Sequence, residues 1–218
     1  MIHLSSYEED SKWSKVCMEI AHDQIIELFQ QIPGLFGKQK LVIHPVEGVN
    51  EDTCKLLDKS CGIDYFISTE DGNKTVSFAW RSVGSTVERC RNEGVYNAFS
   101  LRKKRNNDQS KAENCEIEKR LYAMKHGLVY PLYTVEAYVL NGRLLSVAVA
   151  KTEDVFNAYM NLPIRNCDPH SKNKEVFFWD VSWKIMKDNG YKVYDWYYND
   201  KCKRTYRLYE YKKYNLAV

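Results

Sequence analysis

The sequence predicts a mixed α/β fold, a mixed sheet flanked by helices, in a single domain over residues 1–218. Three observations support this prediction. Segments with helical periodicity alternate with short strand-like segments, turn residues mark two hairpins, and no repeat or Pro/Gly-rich linker divides the chain. With 218 residues, 44% of them hydrophobic and 28% charged, the chain can bury a substantial core.

The first half of the chain is predicted to contain a long amphipathic helix and a hairpin. The helix has an apolar stripe that includes Trp13, Val16, Cys17 and Ile20, and Pro33-Gly34 follows its end. The predicted elements, in order, are a helix over 11–31, a strand over 41–44, a helix over 51–60, and a hairpin from Gly62 to Arg81 that turns at 70–73.

The second half is predicted to contain a further hairpin and several helix–strand units. Asn141-Gly142 suits a type I′ turn, and Thr152 is expected to cap a short helix. The predicted elements are a strand over 96–102, a helix over 112–126, hairpin strands over 135–140 and 143–150, the helix after Thr152, a strand over 176–179, a helix over 181–189 and a strand over 191–197.

Composition argues against membrane and secreted classes. The mean hydropathy is -0.54 and no long apolar run is present, and the first residues are too acidic and polar for a secretory signal. We therefore expect a cytoplasmic protein without a membrane partner. The seven cysteines are scattered without a C-x-x-C pair, which favours free thiols over a zinc site. The nearest metal-binding fragment, Cys167-Asp168-Pro169-His170, is predicted to be a loop.

Asp64 is the most unusual residue of the first hairpin. Aspartate is depleted in strand interiors, and the period-2 alternation allows Asp64 to share a face with Ala79 and Arg81. One interpretation is an ordinary cross-strand ion pair of small energetic value. The other is a functional carboxylate beside a guanidinium group.

A second carboxylate, Glu27, is predicted to face the core. It lies seven residues after Ile20, which brings it back to nearly the same helical direction. A core-facing carboxylate requires a partner, which would be either a neighbouring backbone group or a metal ion. Asp64 and Glu27 together could hold a hard cation such as Mg²⁺.

Two further groups have both a structural and a functional interpretation. Glu116 can pair with Lys119 or Arg120 on a helix surface. The consecutive Arg102, Lys103, Lys104 and Arg105 are typical of a solvated loop, although clustered positive charge also suits phosphate contact. The formal net charge of +3 does not by itself indicate a nucleic-acid partner.

The segments "LLDKSCGIDYFI" and "TVSFAWRSV" resemble the core of the PD-(D/E)XK nuclease superfamily. The segments "YNAFSLRKKR", "CEIEKRLYAMKHG" and "YPLYTVEAYVL" further resemble poorly characterised phage or mobile-element proteins with this core. The resemblance implies a restriction-endonuclease-like core. By this resemblance, Asp64 matches the metal-binding aspartate of the superfamily and Glu27 matches its helix acid. Arg81 stands at the position of the motif lysine. Glu116 and Lys119 match the helix motif T-E-Y-x-K, with Cys115 in place of its threonine.

This resemblance implies an Mg²⁺-dependent endonuclease acting on DNA or RNA. Asp64, Arg81, Glu116 and Lys119 would be catalytic, Asp64 and Glu27 would hold the metal, and the run from Arg102 to Arg105 would bind the backbone. One position departs from the pattern, because Ala79, two residues before Arg81, cannot ligate a metal. Either Glu27 or Glu116 replaces that ligand, or the protein only binds. A non-catalytic protein of this kind would be a phage-encoded inhibitor in the host cytoplasm that contacts nucleic acid or a host defence protein. The oligomeric state stays open.

Overall fold

A mixed six-stranded sheet organises the described part of the chain. The computed structural model describes residues 7–46, 51–54, 56–57, 61–84, 97–105, 116–167 and 176–198. Its helices and strands are α1 (Tyr7–Gln31), β1 (Leu41–Pro45), α2 (Glu51–Cys54), β2 (Tyr65–Thr69), β3 (Thr75–Gly84), β4 (Ala98–Arg105), α3 (Glu116–Lys125), β5 (Tyr133–Leu140), β6 (Arg143–Lys151), α4 (Thr152–Asn161), β7 (Arg165–Cys167), β8 (Val176–Ser182), α5 (Trp183–Asp188) and β9 (Val193–Tyr197).

The strand order of the large sheet is β1-β2-β3-β5-β6-β9. All neighbours are antiparallel except β3 and β5, which are parallel. A parallel pair requires a crossover connection, and α3 lies within that connection. A second sheet, with the order β4-β8-β7, includes the strand that follows β3 in the chain. The predicted mixed sheet with flanking helices is confirmed.

The two faces of the large sheet bury different hydrophobic cores. On β3 and β5, Phe78, Trp80 and Val135 alternate toward the face that α1 covers. Tyr138 of β5 points to the other face, where it joins Phe99 and the second sheet. The site described below lies on this second face.

The predicted first hairpin is confirmed, and its turn is stabilised by polar side chains. Thr69 donates a hydrogen bond from its hydroxyl group to the Asp71 carboxylate, which also accepts the Asn73 backbone N–H at 3.1 Å. Gly72 has a φ of +72°, a conformation that glycine adopts without steric cost. The turn therefore holds β2 and β3 in the register that pairs Tyr65 with Phe78.

The predicted apolar stripe of α1 is confirmed at Cys17 and wrong at Trp13 and Val16. Its buried face includes Cys17, Ala21, Ile25, Leu28 and Phe29, whereas Trp13 and Val16 are exposed. The described helices include none that is long and apolar enough to cross a membrane.

Two smaller expectations also change. Lys151, not Thr152, is the N-cap residue of α4 and no side chain caps this helix; the Thr152 hydroxyl instead lies 3.0 Å from the hydroxyl of Thr134. Cys167 ends the short strand β7, and the rest of the Cys167-to-His170 fragment lies outside the described residues.

Candidate functional site

A polar cavity of about 300 Å³ lies beside the parallel strands β3 and β5. Its walls come from the segment before β2, from β3, β4 and β5, and from α3. Seven acidic or basic side chains line it: Asp64, Arg81, Arg102, Glu116, Lys119, Arg120 and Glu136. The fold therefore gathers an unusual density of charge at one place.

Asp64 is held in the cavity wall by the backbone of β3. Its N–H donates to the Phe78 carbonyl at 3.2 Å, and its carboxylate accepts the Trp80 N–H at 2.7 Å. The cavity lining includes Asp64, Ala79 and Arg81 together. The expectation that these three residues share one side of the hairpin is confirmed.

Arg120 fixes the turn that leads into Asp64. This buried α3 side chain donates hydrogen bonds to the carbonyls of Cys61 and Gly62, the latter at 2.6 Å. Gly62 has a φ of +62°, and a Cβ atom there would lie 2.8 Å from the Arg120 Cζ. Glycine is thus required both by the backbone conformation and by the approach of the guanidinium group.

Arg81 is the central cation of the cavity. It forms an ion pair with Glu116, and its Cζ lies 5.0 Å from the centre of the Phe178 ring. Burial lowers the pKa of Arg81, but the carboxylates of Glu116, Glu136 and Asp64 outweigh this effect and the net pKa is raised. Arg81 is therefore positively charged at any physiological pH.

Glu116 is a member of this cavity and not of a surface pair. Its carboxylate accepts hydrogen bonds from the Arg81 side chain and, at 3.3 Å, from the Arg102 N–H. Of the two interpretations of Glu116, the ordinary surface pair does not account for this carboxylate, because its ion pair is with Arg81 of β3. Burial raises the pKa of Glu116, yet the surrounding arginines overcome this effect and lower it.

Glu136 is a cavity carboxyl group that sequence reasoning missed. It is 1% exposed and lies directly beside Arg81 in the parallel β3–β5 register. Its carboxylate accepts the Ser100 N–H at 2.6 Å, and the Tyr138 hydroxyl lies 3.3 Å from it. Burial raises the pKa of Glu136 to about 8, against the opposing effect of Arg81. A glutamate inside the apolar strand "YTVEAYVL" was the available signal.

Of the remaining predicted site residues, some line the cavity and others do not. Lys119 and Arg102 line the cavity. Lys103, Lys104 and Arg105 belong to β4 by their backbone, but their side chains lie outside the described residues. Glu27 is exposed on α1 and contacts Gln31, so the expectation that it faces the core is wrong and it does not line the cavity.

The charges of the cavity favour an anionic ligand. The lining carries four positive side chains, Arg81, Arg102, Lys119 and Arg120, against the three carboxyl groups of Asp64, Glu116 and Glu136, so its net charge is positive whether or not Glu136 is protonated. Backbone and side-chain donors form hydrogen bonds with the carboxyl groups of Asp64, Glu116 and Glu136. These hydrogen bonds hold the polar groups of the cavity in fixed positions. A phosphate group is the common biological anion that such a cluster of guanidinium groups binds.

The donor set also fits a hard divalent cation. Within the described ranges, no group of three or more His, Cys, Asp or Glu side chains is arranged to hold a metal. Mg²⁺ commonly uses only one or two carboxylates and keeps several waters. Asp64 and Glu136 bring carboxyl oxygens to the cavity lining, and Glu116 is paired with Arg81.

Comparison with known proteins identifies no relative: no protein-family model, no curated protein and no solved structure matches this chain. Its function is therefore inferred from the residues of the cavity.

Proposed function

We propose that the chain is a nuclease-like protein that binds a phosphodiester group of nucleic acid in this cavity and hydrolyses it with a divalent cation such as Mg²⁺. The observation that carries the proposal is the convergence of Asp64, Glu136 and Arg81 in one cavity with a net positive lining. Glu136 supplies, from β5, the carboxylate that Ala79 does not supply from β3.

The order of elements supports a restriction-endonuclease-like core. A helix precedes a three-stranded antiparallel meander, and a further helix leads into a strand parallel to the third. Asp64 lies at the start of the second strand and Arg81 on the third, as the resemblance to PD-(D/E)XK nucleases implies. The pattern and the cavity thus share Asp64, Arg81, Glu116 and Lys119, whereas Glu27 lies outside the cavity and Glu136 outside the pattern.

Each polar group has a separate task in this proposal. Arg81 contacts a phosphate oxygen and stabilises its charge, because a guanidinium group stays charged and does not transfer protons. Arg102 and Lys119, from other sides of the cavity, add positive charge for the nucleic-acid backbone. Asp64 and Glu136 would hold the cation, which supplies Lewis-acid stabilisation and a more acidic water when bound.

The Asp64→Asn variant tests the proposal. The parental protein is expected to cleave at least one of single- and double-stranded DNA and RNA with Mg²⁺, and none with EDTA. Asp64→Asn should lower that rate by roughly a hundredfold or more and keep the parental circular dichroism spectrum. Asp23→Asn, an exposed change on α1, is the matched control and should cleave normally. Cleavage by Asp64→Asn at the parental rate would refute the assignment.

A second candidate is a nuclease-like protein that binds without cleaving, such as a phage-encoded inhibitor of a host defence system. The specific observation in its favour is Ala79, together with the Arg81–Glu116 pair, which already satisfies part of the charge in the cavity. Calorimetric titration with Mg²⁺ or Mn²⁺ separates the candidates. Retention of nucleic acid in a binding assay, with neither metal binding nor cleavage, would favour this second candidate.

A further inference from the structure

A second cavity, of about 370 Å³, lies on the face of the large sheet that α1 covers. It is formed by residues after the end of α1, the beginning of β5, the junction of β6 with α4, and the segment that enters β9. This face is opposite to the one that carries Glu136, because Tyr133 and Glu136 belong to the two alternating sides of β5. The second cavity is therefore separate from the proposed nuclease site.

Three polar groups belong to the lining of this cavity. They are the hydroxyl groups of Tyr133 and Tyr194 and the carboxylate of Asp154, and the charge of Asp154 acts on the pKa of both tyrosines. Tyr133 is only 6% exposed, and its ring packs against Phe29. Hydroxyl groups can donate and accept hydrogen bonds and a carboxylate accepts them, so this wall of the cavity suits a polar ligand.

The interior and the rim of the cavity differ in charge. Asp154 is half-buried, and burial raises its pKa while Lys151 opposes this effect. Lys151, Lys192 and Glu153 are all exposed at the rim, which leaves the rim with one net positive charge above one interior carboxylate. A complementary ligand donates hydrogen bonds at its inner end and carries negative charge at its outer end.

The walls add a requirement for shape. Tyr133, Tyr191 and Tyr194 present aromatic surface, and Ile32 and Pro33 add an apolar side. Aromatic side chains bind flat ring systems by stacking, with a contribution that depends little on the identity of the ring. An aliphatic α-amino acid meets the charge requirement but has no ring.

We propose that this cavity binds a single nucleotide, with an amino-bearing base inside and the phosphate at the rim. The exocyclic amino group of adenine, cytosine or guanine donates to the Asp154 carboxylate, as acidic side chains accept from cytosine in base recognition. Tyr133 and Tyr194 supply ring surface and hydroxyl groups to the base. Lys151 and Lys192 contact the phosphate group.

The test is calorimetric titration of the full chain with AMP, CMP, GMP and UMP in EDTA, so that no hydrolysis accompanies binding. At least one amino-bearing nucleotide should bind with a dissociation constant below about 1 mM and roughly tenfold more tightly than UMP. Uracil has no amino group, and its single ring N–H on that edge lies between two carbonyls. Absence of binding by all four nucleotides would overturn the proposal.

Variants locate the binding site. Asp154→Asn should weaken binding of the preferred nucleotide by about tenfold or more and reduce its advantage over UMP, because a charged acceptor is lost. Tyr133→Phe keeps the ring and should weaken binding by about fivefold. Asp188→Asn, an exposed change of the same type on α5, is the matched control and should bind as the parent does.

Asp64→Asn separates this proposal from the nuclease proposal. Asp64 does not line the second cavity, so this variant should keep the parental preference for the amino-bearing nucleotide over UMP, even where it abolishes cleavage. Loss of binding in Asp64→Asn with normal binding in Asp154→Asn would place the nucleotide in the first cavity and refute the second site.

Discussion

Replacement of Glu136 by glutamine is expected to remove a pH dependence of stability that this buried carboxyl group imposes on the fold. The pKa of Glu136 is raised from 4.5 to about 8 by burial. Between these two values the folded chain holds a proton that the unfolded chain releases, so a rise in pH favours unfolding. The effect is absent below pH 4.5, where both states are protonated, and complete above about pH 8, where both are ionised.

The magnitude follows from the pKa difference. Each pKa unit corresponds to about 1.4 kcal/mol, so a rise from 4.5 to about 8 destabilises the fold by roughly 5 kcal/mol above pH 8 and by roughly 3 kcal/mol at pH 7. A typical domain has a total stability of about 5 to 15 kcal/mol. The ionisation of one side chain thus removes a large share of the available stability.

The assay is urea unfolding, followed by tryptophan fluorescence, of the parent and Glu136→Gln between pH 5 and pH 9 in EDTA. The free-energy difference between them should shift in favour of the variant by roughly 4 kcal/mol from pH 5 to pH 8, since other titrating groups cancel in the comparison. Glu118→Gln makes the same chemical change on the exposed side of α3, outside the cavity, and is the control. A difference for Glu136→Gln that stays constant within about 1 kcal/mol would refute the reasoning.

Two further changes probe how the first cavity is held. Gly62→Ala should destabilise the chain by about 3 kcal/mol in urea unfolding, because the backbone strain at positive φ is joined by displacement of Arg120 from its carbonyl partners. Gly127→Ala has the same strain but no neighbour within 4 Å, and should lose only about 1 kcal/mol; equal losses at the two positions would contradict the Arg120 contact. Arg81→Met should cost about 3 kcal/mol, because the partly buried Glu116 loses its ion-pair partner. In a double-mutant cycle, Glu116→Gln should recover part of this loss, and strict additivity would show that the pair is not coupled.

Local patterns were sufficient to predict the hairpins of the large sheet. The turn at 70–73 and Asn141-Gly142 mark chain reversals through their own backbone preferences, and the structure has both hairpins there. The parallel pairing of β3 with β5 was not predictable in this way. It joins strands that are separated by β4 and α3, and only tertiary packing determines which strands become neighbours.

The error at Glu27 has a geometric cause. The prediction referred Glu27 to Ile20, seven residues earlier, but Ile20 is only partly buried and lies at the margin of the buried face. The centre of that face runs through Ala21, Ile25 and Leu28. A small rotational error in placing an apolar stripe is enough to move a marginal residue from the core to solvent.

Glu116 and Glu136 illustrate why the site was harder to predict than the fold. On the helix surface, Glu116 has several possible partners within four residues, and the one it binds, Arg81, lies on another element. Glu136 is recognisable in the sequence as a charged residue in an apolar strand, but Arg81, which lies beside it, is again distant in the chain. Such pairs depend on long-range contacts, which hydrophobic periodicity does not encode.

Ala79 has a different significance once the neighbouring strand is considered. In the parallel register Thr134 lies beside Ala79 and Glu136 lies beside Arg81, so their side chains point to the same face of the sheet. A carboxylate at position 79 of β3 would point into the same cavity as the carboxyl group of Glu136, which lies next to Arg81 on β5. Metal and phosphate chemistry requires oxygen donors at suitable positions in space, not at a fixed spacing along the chain. An alanine at position 79 thus does not by itself argue against catalysis, because Glu136 provides a carboxyl group beside Arg81.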